Sequence, residues 1–105
     1  MTEGLLTVIC RHTSASLVIQ GTEADMLEDL EVFFAKLAPQ GPNLYRHDVD
    51  GPDDMPAHIR AALTQAQVSI PVVDGDLLLS KSQGVLLFEH RIAPQQRHAH
   101  LHLLF

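Results

Sequence analysis

Seven histidines in a chain of 105 residues equal the whole Lys+Arg count. Imidazoles bind transition metals and move protons near neutral pH, so their placement comes first. His12 follows the apolar alternation Leu6, Val8, Cys10 and precedes Thr13, Ser14 and Ser16. His47 lies in the polar stretch Tyr45-Arg46-His47-Asp48, and His58 stands four residues after Asp54, a spacing that shares one helix face. Gly84, Leu86, Phe88 and His90 alternate along a strand and end in histidine. Three neutral imidazoles with an open position, oriented by nearby carboxylates, are the usual pattern of a catalytic divalent metal. His47, His58 and His90 could supply the imidazoles, with Asp54 or Asp53 orienting them. The spacing matches neither HExxH nor a paired CxxC, so hydrogen-bonded structural histidines remain the alternative on residue types alone.

His98, His100 and His102 share one strand face, and a solvent-facing strand with Ala99, Leu101 and Leu103 turned to the core accounts for them. Cys10 sits between Val8 and His12 on an inward face and reads as a buried, inert thiol. Ser14 and His12 can share a strand face, yet no G-x-S-x-G elbow surrounds them. No glycine-rich run precedes a helix, so no phosphate loop is present. Gly51-Pro52-Asp53-Asp54-Met55-Pro56 is capping grammar for a helix start that also places two aspartates beside two histidines.

The elements that must position these residues follow from periodicity. Leu5–Cys10 and Ala15–Ile19 read as strands. Met26, Leu27, Leu30, Phe33, Phe34 and Leu37 recur at three- and four-residue steps, which predicts an amphipathic helix over Thr22–Leu37 with Thr22 as N-cap. A second helix is expected from Asp53 or Asp54, with Met55, Ile59, Ala62 and Leu63 as its apolar stripe. Val68–Val73 and Leu77–Leu79 form a hairpin through Asp74-Gly75. Gly84–His90 and His98–Phe105 complete the strands. The expected architecture is one α+β domain over residues 1–105, a largely antiparallel, β-sandwich-like sheet with two helices.

Composition bounds the function. Thirteen acidic against seven basic side chains give a net charge of −6, which argues against nucleic acid as a partner. No apolar run reaches the roughly 20 residues of a membrane helix, so no membrane partner is expected. A single cysteine and a non-cationic start suit the cytoplasm.

His12-Thr13-Ser14-Ala15-Ser16-Leu17, the acidic helix after it, Tyr45-Arg46-His47-Asp48, Gly51-Pro52-Asp53-Asp54-Met55-Pro56-Ala57-His58-Ile59 and Glu89-His90-Arg91 together resemble the YjbQ family. These small proteins are described as secondary thiamine-phosphate synthase-like, and the likeness runs through nearly the whole chain in order. The resemblance implies a β-sandwich-like α+β fold, a homotrimer with sites near subunit boundaries, and a metal or anion pocket built from His12, His47, His58 and His90. The activity it implies is a modest one, joining a pyrimidine diphosphate to a thiazole phosphate. In that reaction a divalent cation, zinc or magnesium, would stabilise the departing pyrophosphate. On this basis His47, His58 and His90 are expected as metal ligands, Asp54 as the group orienting them, and His12 as acid/base or as an extra ligand. Ser14, Ser16, Gln83 and Arg91, with Lys81, are expected to contact a phosphorylated small-molecule substrate.

Two departures stand out. Family members typically carry Gly-Thr-Trp-Gln where this chain has Ser80-Lys81-Ser82-Gln83, which removes aromatic stacking area from a pocket wall. Family chains also have strand-forming sequence ahead of the segment that begins here at Gly4, so the fold is expected to lack that upstream first strand, with trimer contacts as the other way of covering the edge. Both departures favour a rival reading, a non-catalytic module that binds a metabolite or anion.

Overall fold

Alternation in the first strand sets the core. In the computed structural model, which describes residues 2–105, β1 (Gly4–Cys10) turns Leu6, Val8 and Cys10 to one side and leaves Leu5 and Ile9 exposed. β1 pairs antiparallel with β3 (Gln67–Val73) on one side and with β6 (Ala99–Leu104) on the other. β3 continues into the two-residue β4 (Asp76–Leu77) through Asp74 and Gly75, both at positive φ, the signature of a hairpin turn that favours glycine. This four-stranded sheet has the order β4-β3-β1-β6. β2 (Ala15–Gly21) and β5 (Gln83–Glu89) pair antiparallel as a second, two-stranded sheet. Val8, Cys10, Val68 and Ile70 of the larger sheet meet Ala15 and Leu17 of the smaller one, with Leu6, Ile19, Leu79 and Val85 packed around them. The expected antiparallel sandwich is therefore present, and Cys10 is buried in it with its thiol directed at the Ala15 carbonyl.

The opposite face of the smaller sheet carries Ser16, Val18, Leu86 and Phe88, and the helices lie there. α1 (Ala24–Leu37) starts two residues later than predicted and has no side-chain cap. Thr22 is held instead against Gly84 of β5, where a Cβ would stand 2.8 Å from the Thr22 methyl. The apolar positions of α1 face the sheet only partly: Phe34 meets Phe88 edge-on, and no α1 residue is fully buried. α2 (Asp54–Leu63) is seated more firmly, with Asp54, Pro56 and Ala57 buried. Asp53 occupies its N-cap position without capping it, because its carboxylate is engaged elsewhere.

One expectation fails. Register places Ala99, Leu101 and Leu103 beside Cys10, Val8 and Leu6, on the inner side of the larger sheet as predicted. Leu101 and Leu103 nevertheless remain 66% and 49% exposed. The smaller sheet has two strands among the described residues and does not extend over β6. The result is an elongated body, 54 × 27 × 20 Å, with a radius of gyration of 15.9 Å against about 13 Å for a compact domain of this size. No helix is long and apolar enough to cross a membrane, among the described residues.

Ile70, 2% exposed, is the largest β-branched side chain fully inside the sandwich. Ile70→Ala is expected to lower the unfolding free energy by about 2–5 kcal/mol, read from the urea midpoint at unchanged slope.

Candidate functional site

The Gly51-to-Asp54 turn builds the site. Gly51 has φ +107°, a conformation that favours glycine, and a Cβ there would crowd the Asp53 carboxylate at 3.3 Å. The turn brings two adjacent aspartates inward at the start of α2, both buried. Arg91, just beyond β5, reaches across to them. Its Nε donates to Asp53 Oδ2 at 3.0 Å, its Nη1 to Asp54 Oδ1 at 2.9 Å, and its Nη2 to the Asp50 carbonyl. The Ile92 amide also donates to Asp53 at 2.9 Å. Bonding to the Arg91 guanidinium and then to that amide holds the Asp53 carboxyl below its ordinary value.

With Oδ1 taken by Arg91, Asp54 presents Oδ2 to two imidazoles. The Nε2 atoms of His47 and His58 each lie 3.1 Å from it. The two rings stand edge-on with centroids 5.7 Å apart. His58 Nδ1 donates to the Thr13 carbonyl at 2.8 Å, from the loop between β1 and β2. That bond assigns the tautomer: in a neutral His58 the proton is on Nδ1, so Nε2 turns a bare lone pair toward a carboxylate oxygen. A second proton on Nε2, which makes His58 an imidazolium, or a bound cation satisfies that contact at 3.1 Å. His47, Asp54 and His58 thus form a two-imidazole, one-carboxylate group whose donor atoms all lie within 4.8 Å of one another. The N–O separations are close to the roughly 3.3 Å edge of a tetrahedron with 2.0–2.1 Å bonds. A cavity of about 500 Å³ opens beside His47, walled by Gln40, Asn43, Tyr45, Asp48 and Met55.

The other expected site residues lie elsewhere. His90 does not stand with His47 and His58; it is buried, and its Nε2 pairs with Ser16 Oγ at 2.8 Å. Burial, followed by the charge of Arg60, pushes its pKa down to about 4. Ser16 also receives a bond from Thr64. Ser14 Oγ accepts from Arg97, which is paired with Glu89 and holds that carboxyl below its ordinary value. His12 Nε2 accepts from the His98 amide at 3.0 Å. Gln83 closes a turn onto Ser80 at the far end of β5, about 20 Å of strand away from His90, with Lys81 in that turn. His98, His100 and His102 gather no metal-like group, since 47/54/58 is the only such group among the described residues. Sequence reasoning missed Thr13, Arg60, Thr64 and Arg97. Thr13 acts through its backbone carbonyl, which side-chain chemistry cannot signal, whereas Arg60 and Thr64 show an i, i+4 spacing on α2 that marks them as neighbours.

Comparison with known proteins follows this geometry. A family model described as UPF0047 protein YjbQ-like matches residues 1–104. The chain is 54% identical over 101 residues to the UPF0047 protein sll1880 of Synechocystis, covering 95% of this chain and 69% of that one. It is 39% identical over 90 residues to the UPF0047 protein YjbQ of Escherichia coli, covering 85% and 64% respectively. It therefore spans about two thirds of the length of these curated relatives. Among solved structures, a YjbQ/UPF0047 family protein of Clostridium acetobutylicum superposes with a TM-score of 0.88 at 28% identity, over 99% of this chain and 78% of that one.

His90 carries a pH prediction. An unfolded histidine titrates near 6.5, so as the pH falls the unfolded chain takes the proton first and stability drops until about pH 4. Wild-type stability is expected to fall by about 2 kcal/mol between pH 7 and pH 4.5 on this account. In His90→Asn that loss should disappear over the same window, read from urea titrations at both pH values.

Proposed function

Since the chain belongs to the UPF0047 family of YjbQ-like proteins, we propose that it holds a divalent cation on His47, Asp54 and His58 and acts there on a small phosphorylated molecule. The observation that carries this reading is the convergence of His47 Nε2, Asp54 Oδ2 and His58 Nε2 within 4.8 Å of one another, with the Nδ1 side of His58 already engaged by Thr13. Two imidazoles and one carboxylate suit zinc better than magnesium, which prefers oxygen ligands and keeps its waters. A cation held this way supplies Lewis acidity for a phosphoryl oxygen and countercharge for a departing pyrophosphate. The chain's own residues do the positioning. Thr13 orients His58, Arg91 fixes Asp54 through Oδ1, and Asp53 fixes Arg91. The reaction we assign is the one the resemblance implies, pyrimidine diphosphate joined to thiazole phosphate, with the organic part housed in the cavity beside His47.

A second reading has its own support. Ser14, Ser16 and Arg91, the residues expected to hold phosphate, are all engaged within the protein. That favours a module that binds a metabolite or anion without turning it over. Exposed Leu101 and Leu103 support the expected homotrimer, because further copies would cover the inner side of β6. We place the protein in the cytoplasm, where a lone Cys10 thiol stays reduced.

Metal analysis of untagged protein tests the cation site. One equivalent of zinc per chain is expected after dialysis, with less than a tenth of it in His58→Ala and in Asp54→Asn. Arg91→Gln should weaken the cation about 10- to 100-fold. Under one metal per three chains sinks the assignment. Formation of thiamine phosphate from the two precursors, lost in Asp54→Asn, supports the transferase; bound zinc with no product supports the binding module. Sedimentation is expected to give three times the 11.6 kDa chain mass, and Leu101→Asp to shift it to one.

A further inference from the structure

A second cavity, of about 340 Å³, lies on the other side of Arg91, between the C-terminal end of α1 and the end of β5, with Arg60, Phe34, Gln40 and His90 in its wall. Arg60 ties the two ends together. Its Nε and Nη2 donate to the Phe34 and Ala38 carbonyls, and its Nη1 donates to the His90 carbonyl. Every one of those acceptors is backbone, and no carboxylate pairs with Arg60 among the described residues. Arg91, on the same wall, is neutralised by Asp53 and Asp54; Arg60 is not. The α1 C-terminus offers it about half a negative charge. A guanidinium has five N–H donors, so two remain unspent.

A second group in this wall also lacks a partner. His90 is 4% exposed, and its Nδ1 bonds to nothing. Its Nε2 is taken by Ser16, so Nδ1 is the unpaired atom of the ring. A buried polar atom left in this state is costly. Glu89 is spent on Arg97, and Glu31 stands on the exposed rim.

An apolar cavity adjoins it. Glu31, Phe88 and Glu89 border both, and the apolar one, about 250 Å³, runs under α1 between Leu27 and Leu30 on the helix and Val18, Leu86 and Leu87 on the smaller sheet. A cation without a counter-ion thus opens onto an apolar trough.

We propose that this groove binds an amphipathic organic anion, its carboxylate or phosphate on Arg60 beside His90 and its hydrocarbon part between α1 and β5. The site is separate from the His47–Asp54–His58 group and stands whether or not that group holds a cation. The 105-residue chain titrated in EDTA with hexanoate, hexyl phosphate and hexan-1-ol, followed by amide NMR, tests it. EDTA removes any contribution from a bound metal. Saturable shifts at Leu30, Arg60 and Leu87 are expected, with at least one anion bound tenfold or more tightly than the alcohol. Arg60→Gln should weaken that anion at least tenfold, whereas Arg60→Lys, which keeps the charge if the α1 contacts suffer, should retain most of the affinity. Preference for hexanoate or for hexyl phosphate identifies the head group. No saturable shift in the groove with either anion, or an alcohol bound as tightly as both, overturns the proposal.

Discussion

The Arg91 guanidinium is the contact on which the site depends. It is planar and presents its donors in a fixed fork, so it can hold two carboxylates in set orientations at once. Its bonds to Asp53 and Asp54 join the start of α2 to the end of β5, two segments that lie 37 residues apart in the chain. They also divide the labour of the two aspartates. Asp53 gives both oxygens to the clamp and so forgoes capping α2, whereas Asp54 gives one and keeps the other for the histidines. Burying two adjacent carboxylates would be prohibitive without this cation, and with it the pair becomes a rigid platform.

A second tie runs from the other side of the sandwich. The Thr13 carbonyl, between β1 and β2, receives the His58 proton, so the loop that joins the two sheets sets the tautomer of a ring on the helix. His47 comes from the irregular segment between the helices and is half exposed. The three donor groups therefore rest on unequal supports: Asp54 is buried and clamped, His58 is oriented by one backbone bond, and His47 is held by Asp54 itself. A cation bound among them would draw the most exposed member inward, which is how metal binding couples to local order.

Much of the framework was legible in residue patterns because short-range physics produces it. Period-two alternation located Leu6, Val8 and Cys10 on the inner face, and Asp74-Gly75 located the hairpin, since a turn with positive φ at both positions has few sequences to choose from. The pairing of Asp54 with His58 followed from one helical turn. The places where expectation failed share a cause. Residue type marks Thr22 as a cap, but packing against Gly84 claims it. Alternation points Leu101 and Leu103 to the core side, yet it says which side a residue faces and not whether anything lies opposite.

By itself, then, the sequence determined the α+β class, the strand faces, the presence of two helices and a set of chemically capable residues, all of which depend on neighbours a few positions apart. The resemblance carried by the His-Thr-Ser-Ala-Ser and Gly-Pro-Asp-Asp-Met-Pro blocks added the family, which the comparisons bear out. Only the tertiary structure decided which histidines meet. It set His90 against Ser16 rather than beside His47 and His58, and it put Asp54 Oδ2 between the His47 and His58 rings. The reason is distance along the chain. The Ser16–His90 bond spans 74 residues and the Thr13–His58 bond spans 45, so neither partner leaves a trace in the local periodicity of the other.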